Sequence, residues 1–162
     1  WTYDGRTWTP VCGTDATPVC GPPPGFANAM AYDPLHQQIV MFGGSNGDNC
    51  TWTWDGSGWT LQQPVHAPPA PQFGTMAFDP LLGQLGQIVL VGSDLPGFGT
   101  FGNQVWVWDG ADWTQLQPAA DLPPRRAITV AFDPNSDGLL LFGGGVFANG
   151  VQRDLGDTWV LR

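Results

Sequence analysis

One aromatic signature returns along this chain at nearly constant intervals. It reads Trp1-Thr2-Tyr3-Asp4-Gly5, then Trp52-Thr53-Trp54-Asp55-Gly56, then Trp106-Val107-Trp108-Asp109-Gly110. A second tryptophan, followed by threonine, trails each one at Trp8, Trp59 and Trp113. The leading tryptophan stands at 1, 52, 106 and 159, which gives spacings of 51, 54 and 53 residues. A period near 50 marks a repeat architecture, in which each unit buries its apolar faces against its neighbours. The units run 1–51, 52–105 and 106–158, with a fourth starting at 159.

Two further landmarks recur in each unit. Ala-aromatic-Asp-Pro appears at Ala31–Pro34, Ala77–Pro80 and Ala131–Pro134. An apolar run ending in small residues follows, at Ile39–Gly44, Ile88–Ser93 and Leu139–Gly144. These landmarks predict four strands per unit. The first is Asn28–Tyr32 and its equivalents, closed by an Asp-Pro turn in which Pro fixes φ and Asp bonds its own backbone. The second is the apolar run, whose unbroken hydrophobicity predicts cover on both faces. The third is the alternating Trp-x-Trp segment, joined by an Asp-Gly hairpin to a fourth that reads Trp-Thr-x-Leu. Pro-rich stretches at 22–24, 68–71 and 122–124 carry the chain onward.

Composition agrees with that reading. The chain has no Glu and no Lys, two strong helix formers. Its 23 Gly and 16 Pro among 162 residues suit many turns, and nine Trp suit a packed fold. A formal charge of -9 leaves no basic stripe for phosphates, which argues against nucleic acid and against an anionic membrane surface. No apolar run approaches the ~20 residues of a membrane-spanning helix.

The unit of about 50 residues, the double glycine after an apolar strand (Gly43-Gly44, Gly143-Gly144) and the aromatic pairs Trp52/Trp59 and Trp106/Trp113 resemble the kelch repeat of β-propellers. The resemblance covers essentially the whole chain and implies an all-β fold of blades, each of four antiparallel strands. Ala-aromatic-Asp-Pro and Trp-Asp-Gly give it the flavour of bacterial extracellular kelch-like proteins. The second unit departs from the pattern, with Gly92-Ser93 and a long loop over 94–103, and the first carries an extra segment over 11–21. The sequence supplies about three blades: strands three and four of one, two complete, and strands one to three of another. Propellers ordinarily have four to eight. The expectation is therefore a segment of a six- to eight-bladed protein, or copies that assemble into a ring. An open arc of blades exposes two apolar sheet faces that seek partners.

Candidate chemistry is sparse. Cys12 and Cys20 flank a loop of a length that permits a disulfide, leaving Cys50 over; three free thiols in a reducing compartment are the alternative. There is no CxxC, and His36 and His66 are isolated, so no metal site is expected. Asp133-x-Asn135-x-Asp137-Gly138 matches the first half of a calcium loop, but Gly144 stands where that loop needs Glu; the expectation is a plain turn. Asn49-Cys50-Thr51 fits a glycosylation pattern. The repeated tryptophans are read as packing between blades. Aromatics outside the repeat pattern are the better ligand candidates: Phe98 and Phe101 in the long loop, and Phe147 in the loop 145–150. Arg125 and Arg126 break the repeat and offer a carboxylate-binding pair, or a pair that caps carbonyls or meets a nearby Asp. No serine lies in a nucleophile elbow and no Asp pair has catalytic spacing. The Tyr, His and Cys copper set of some kelch oxidases has no counterpart.

Together these point to a non-enzymatic, secreted module without cofactor. Its partners are other protein chains, reached by self-association into a ring or by docking to a larger complex. A carbohydrate-binding module is the alternative, and an enzyme completed by further blades the third reading.

Overall fold

A computed structural model of the chain describes residues 1–11, 21–25, 28–43, 49–69, 74–92, 104–118, 122–148 and 151–162, without the side chains of 147 and 148. The described chain is all-β. β1 (Thr2–Tyr3) and β2 (Trp8–Thr9) form a two-stranded sheet. The first blade is β3 (Ala29–Asp33), β4 (Gln38–Phe42), β5 (Thr51–Trp54) and β6 (Trp59–Leu61), paired antiparallel in that order. The second is β7 (Thr75–Asp79), β8 (Gln87–Val91), β9 (Val105–Trp108) and β10 (Trp113–Leu116). The third sheet joins β11 (Thr129–Asp133), β12 (Gly138–Phe142) and β15 (Thr158–Leu161). Between β12 and β15 lies a separate hairpin, β13 (Gly145–Ala148) and β14 (Val151–Asp154). Among the described residues no helix is long and apolar enough to cross a membrane.

The first strand of each blade sits one residue later than the landmarks suggest, because Asp33, Asp79 and Asp133 each pair with the first residue of the next strand. The segment read as a loop over 145–150 is largely the β13–β14 hairpin. Asn149-Gly150, between the two strands in sequence, is the hairpin signal that reading passed over.

The three hairpins joining third and fourth strands are built alike. Asp4, Asp55 and Asp109 each accept two backbone N–H groups on Oδ1, from Arg6 and Thr7 (2.8 and 2.7 Å), Ser57 and Gly58 (2.8 and 2.9 Å), and Ala111 and Asp112 (both 2.9 Å). The glycine that follows each Asp has φ of 96°, 99° and 103°, a backbone region open mainly to glycine. An aromatic pair clasps each hairpin: Tyr3 with Trp8, Trp54 with Trp59, Trp108 with Trp113, at centroid distances of 4.9, 5.6 and 5.3 Å. The amide bonds hold the Asp55 carboxyl down to about 2.

The sheets pack face to face in sequence order, and their first strands β3, β7 and β11 lie side by side. That is the radial arrangement of propeller blades. β8 explains the unbroken apolar runs. Ile88 and Leu90 point into the core shared with Val40 and Phe42 of the first blade. Val89 and Val91 point the other way, against Leu139 and Leu141 of the third. Trp113 seals the first of these cores, edge-on to Phe42 at 5.1 Å and donating its indole N–H to Thr51 Oγ1 at 2.9 Å.

Candidate functional site

The titratable groups are tied into turns. Asp33 Oδ1 accepts the amides of Leu35 and His36 (3.0 and 3.3 Å), while Oδ2 lies 2.7 Å from His36 Nδ1. His66 bonds Asp112 through its amide (2.8 Å) and Nδ1 (2.7 Å), fastening the interblade linker to the second blade; these bonds lower the Asp112 pKa. Asp133 Oδ1 accepts the amide and side chain of Asn135, both at 3.1 Å, so the would-be calcium segment is bonded as a turn. Among the described residues no three His, Cys, Asp or Glu side chains gather where an ion could sit.

Arg125 is turned inward, with its side chain 3% exposed. Nη1 and Nη2 meet Asp157 at 2.5 and 2.9 Å, and Nε and Nη1 donate to the carbonyls of Pro123 and Gly143, both at 3.1 Å. The guanidinium lies 5.7 Å from the Trp159 ring centroid, and Trp159 Nε1 donates to the same carboxylate at 2.7 Å. The Arg125 bonds first, then that of Trp159, hold the Asp157 carboxyl far below the usual carboxylate range. Arg125 thus fixes the departure point of β13. Arg126 stays at the surface side and reaches Gln152 Oε1 at 3.1 Å, with Gln152 Nε2 on Asp154 Oδ1 at 3.1 Å. Arg126, Thr129, Phe142, Gln152 and Asp154 line an open cleft of about 350 Å³.

The larger feature is a pair of bare sheet faces. Repeat-equivalent residues have opposite environments. Phe42 is 0% exposed, whereas Phe142, in the same slot of the third blade, is 54% exposed. Met76 is 6% exposed, whereas Met30, its counterpart in the first blade, is 47% exposed. Tyr32 is exposed where Phe78 packs against the core. A third apolar feature is a cavity of about 320 Å³ beside β15, lined by Val91, Val105, Leu122, Leu141, Trp159 and Leu161 among others.

Of the residues singled out from sequence, Phe98, Phe101, Cys12 and Cys20 lie outside the described residues. Phe147 falls on β13, and nothing is described of its side chain. Cys50 is half-buried and free. The structure brings Arg125 and Arg126 to the base of the β13–β14 hairpin, the first committed to Asp157 and the second to Gln152. Sequence reasoning missed Met30, Tyr32 and Phe142 as surface residues. The repeat aligns them with Met76, Phe78 and Phe42, but only the radial order of the sheets shows which side each one faces.

Four-stranded antiparallel sheets packed about a common line of first strands define the class: an all-β protein of propeller blades. No protein-family model and no curated protein matches the chain. The solved structure titled "Structure of YjhT" is similar to it, with a TM-score of 0.60 at 17% identity. The likeness covers 78% of this chain and 36% of that one, so this chain spans about a third of its neighbour's length. At that identity the likeness speaks to the fold alone, which is a propeller's.

Proposed function

We propose that the chain is a kelch-like, non-enzymatic interaction or scaffold module of a secreted or cell-surface protein, working through bare blade faces. The observation that carries this is the exposure of Met30, Tyr32 and Phe142, whose repeat counterparts Met76, Phe78 and Phe42 are packed between blades. Apolar faces of this kind bind complementary apolar faces. The acidity of the chain favours solubility until the right surface arrives. Phe142→Asp should abolish association, measured by sedimentation velocity across a concentration series, and leave the unfolding midpoint little changed. A wild-type chain that neither self-associates nor binds a propeller partner would sink the reading. Secretion is tested through Cys12 and Cys20: a disulfide raises the denatured mass by two hydrogens on reduction, and no change removes that support.

The cleft beside Phe142 favours one second reading, a carbohydrate module. An exposed aromatic ring flanked by the Gln152 amide and the Asp154 carboxylate offers a stacking face with acceptors and donors for hydroxyls. A glycan array decides it, with Phe142→Ala as the control; a blank array removes it.

A further inference from the structure

We propose that the end of the second blade where its turns gather is a docking surface for another protein, through a segment that carries aliphatic side chains beside a lysine or arginine. This surface is separate from the bare blade faces. The second blade has a neighbour on each side, and what this end exposes is set by the turns themselves.

Four segments meet there. Asp79 pairs with Gln87, Ile88 with Trp108 and Trp108 with Trp113, so the turn over 80–86 and the hairpin over 109–112 leave the blade at the same end. The first blade and the linker after it each add a segment to that hairpin. The His36 ring lies so close to Gly110 that a β-carbon there would collide with it. His66 bonds Asp112 through its amide and Nδ1, at 2.8 and 2.7 Å. Each histidine follows an exposed aliphatic residue, Leu35 and Val65, and the turn adds Leu81 and Leu85. These four are between 45% and 86% exposed.

The fold does not call for leucine in these turns. The third blade fills the same slot with Pro134-Asn135-Ser136-Asp137, and Asn135 stands where Leu35 and Leu81 do. The turn of the second blade is also longer, seven residues over 80–86 against four over 34–37 and 134–137. It is firmly built. The buried Asp79 accepts the Leu81 amide at 2.9 Å, and Leu82 packs against the core between the second and third blades. Gly86, at φ 94°, lies against the Phe78 ring. An insertion anchored by one leucine thus holds two more out in water. A single exposed leucine is ordinary, but several at one end of one blade mark an interaction site. A surface already held in place loses little entropy on binding.

Charge selects the occupant. The hairpin carries Asp109 and Asp112, and the two turn bonds of the exposed Asp109 both fall on Oδ1, leaving Oδ2 as an acceptor. The chain has no lysine, and none of its five arginines falls in these four segments. The two histidines are already bonded to Asp33 and Asp112. Aliphatic ground with a carboxylate in it suits the opposite pattern, apolar side chains for burial and a cation for Asp109. The charge of -9 works against a second copy in that place.

The test is fluorescence anisotropy of a labelled amphipathic peptide of leucine and lysine, titrated with the full chain. The expected result is saturable binding, weakened about tenfold or more by Leu81→Asn combined with Leu85→Ser. Leu35→Asn and Asp109→Asn should each weaken it less, and Phe142→Asp should bind as wild type does. The leucine–glutamate counterpart of the peptide should bind at least about tenfold more weakly. The replaced side chains are exposed, and asparagine at 35 or 81 copies the third blade, so the unfolding midpoint should stay in place. A peptide that does not bind, or that binds the leucine variants equally well, overturns the proposal. Equal binding of the leucine–glutamate peptide overturns the basic partner. Phosphatidylcholine vesicles that bind through Leu81 and Leu85, with no peptide binding, assign the surface to a membrane and overturn it too. Binding lost in Phe142→Asp alone moves the peptide to the blade face, which overturns this surface and supports the reading above. Self-association without peptide binding overturns this proposal and leaves that reading standing.

Discussion

Phe42 and Phe142 are the same residue at the same point of the same repeat, and only their neighbours differ. Phe42 ends the second strand of the first blade and is enclosed by the second blade. Phe142 ends the second strand of the third blade and faces open space on that side. The sequence around them is nearly interchangeable: Val40-Met41-Phe42-Gly43 against Leu140-Leu141-Phe142-Gly143. Burial here is a property of position in the stack. The chemistry of the strand decides only that it will be buried once a neighbour is present.

The most forceful way to break that comparison is to truncate both side chains. Phe42→Ala should cost about 3–5 kcal/mol in urea unfolding, from lost transfer energy and a cavity between blades. Phe142→Ala should cost under about 1 kcal/mol in dilute protein, because little is enclosed there. Equal losses would mean that the third blade is covered in solution even at low concentration. Thr51→Val sharpens the enclosed side. It removes the acceptor of the Trp113 indole N–H and should cost about 1–3 kcal/mol, the penalty of a buried unsatisfied donor.

On the open side, Asp157→Asn probes the Arg125 clasp through pH. The carboxyl is depressed when folded, so its contribution is present above the ordinary value of 3.8 and is lost as pH falls through the folded one. The gap between wild type and Asp157→Asn should therefore be constant at neutral pH and narrow below about pH 4. A gap that widens in acid would remove the ion pair as its cause. The smallest difference between the two regions is expected in a control at two equivalent glycines. Gly43 and Gly143 have φ of 70° and 71°, so Gly43→Ala and Gly143→Ala should each cost about 1–2 kcal/mol from backbone strain. A clear excess at Gly143 would trace to the added methyl meeting the Leu155 carbonyl oxygen at 3.2 Å, and not to the local backbone.

Much of this was legible in the residues because it is local or periodic. Trp-x-Trp-Asp-Gly specifies a hairpin whose Asp, Gly and aromatic clasp all lie within a few positions. The apolar run of β8 named a strand covered on both sides, whereas the equivalent run of β12 leaves Phe142 exposed. Which faces end up bare was legible in outline, from the number of blades, but not residue by residue. Met30 and Met76 look alike to any rule of propensity, and only the radial order of the sheets separates them. The fate of Arg125 was hidden for a related reason. Its partner Asp157 is 32 residues away, and its inward course follows from the turn at Gly143 and the hairpin beyond it.

The aromatic-clasped hairpins have a consequence for how the chain reaches its structure. Each is closed by a short turn with its own internal bonds, so each can form alone within about 1–10 μs. Each blade touches only the blades beside it, so order spreads along the chain as in a one-dimensional lattice. Any of the clasps is a possible starting point. The slow events are then the meetings of whole blades, where Phe42 closes on Trp113 and Val91 on Leu139, and not the making of strands.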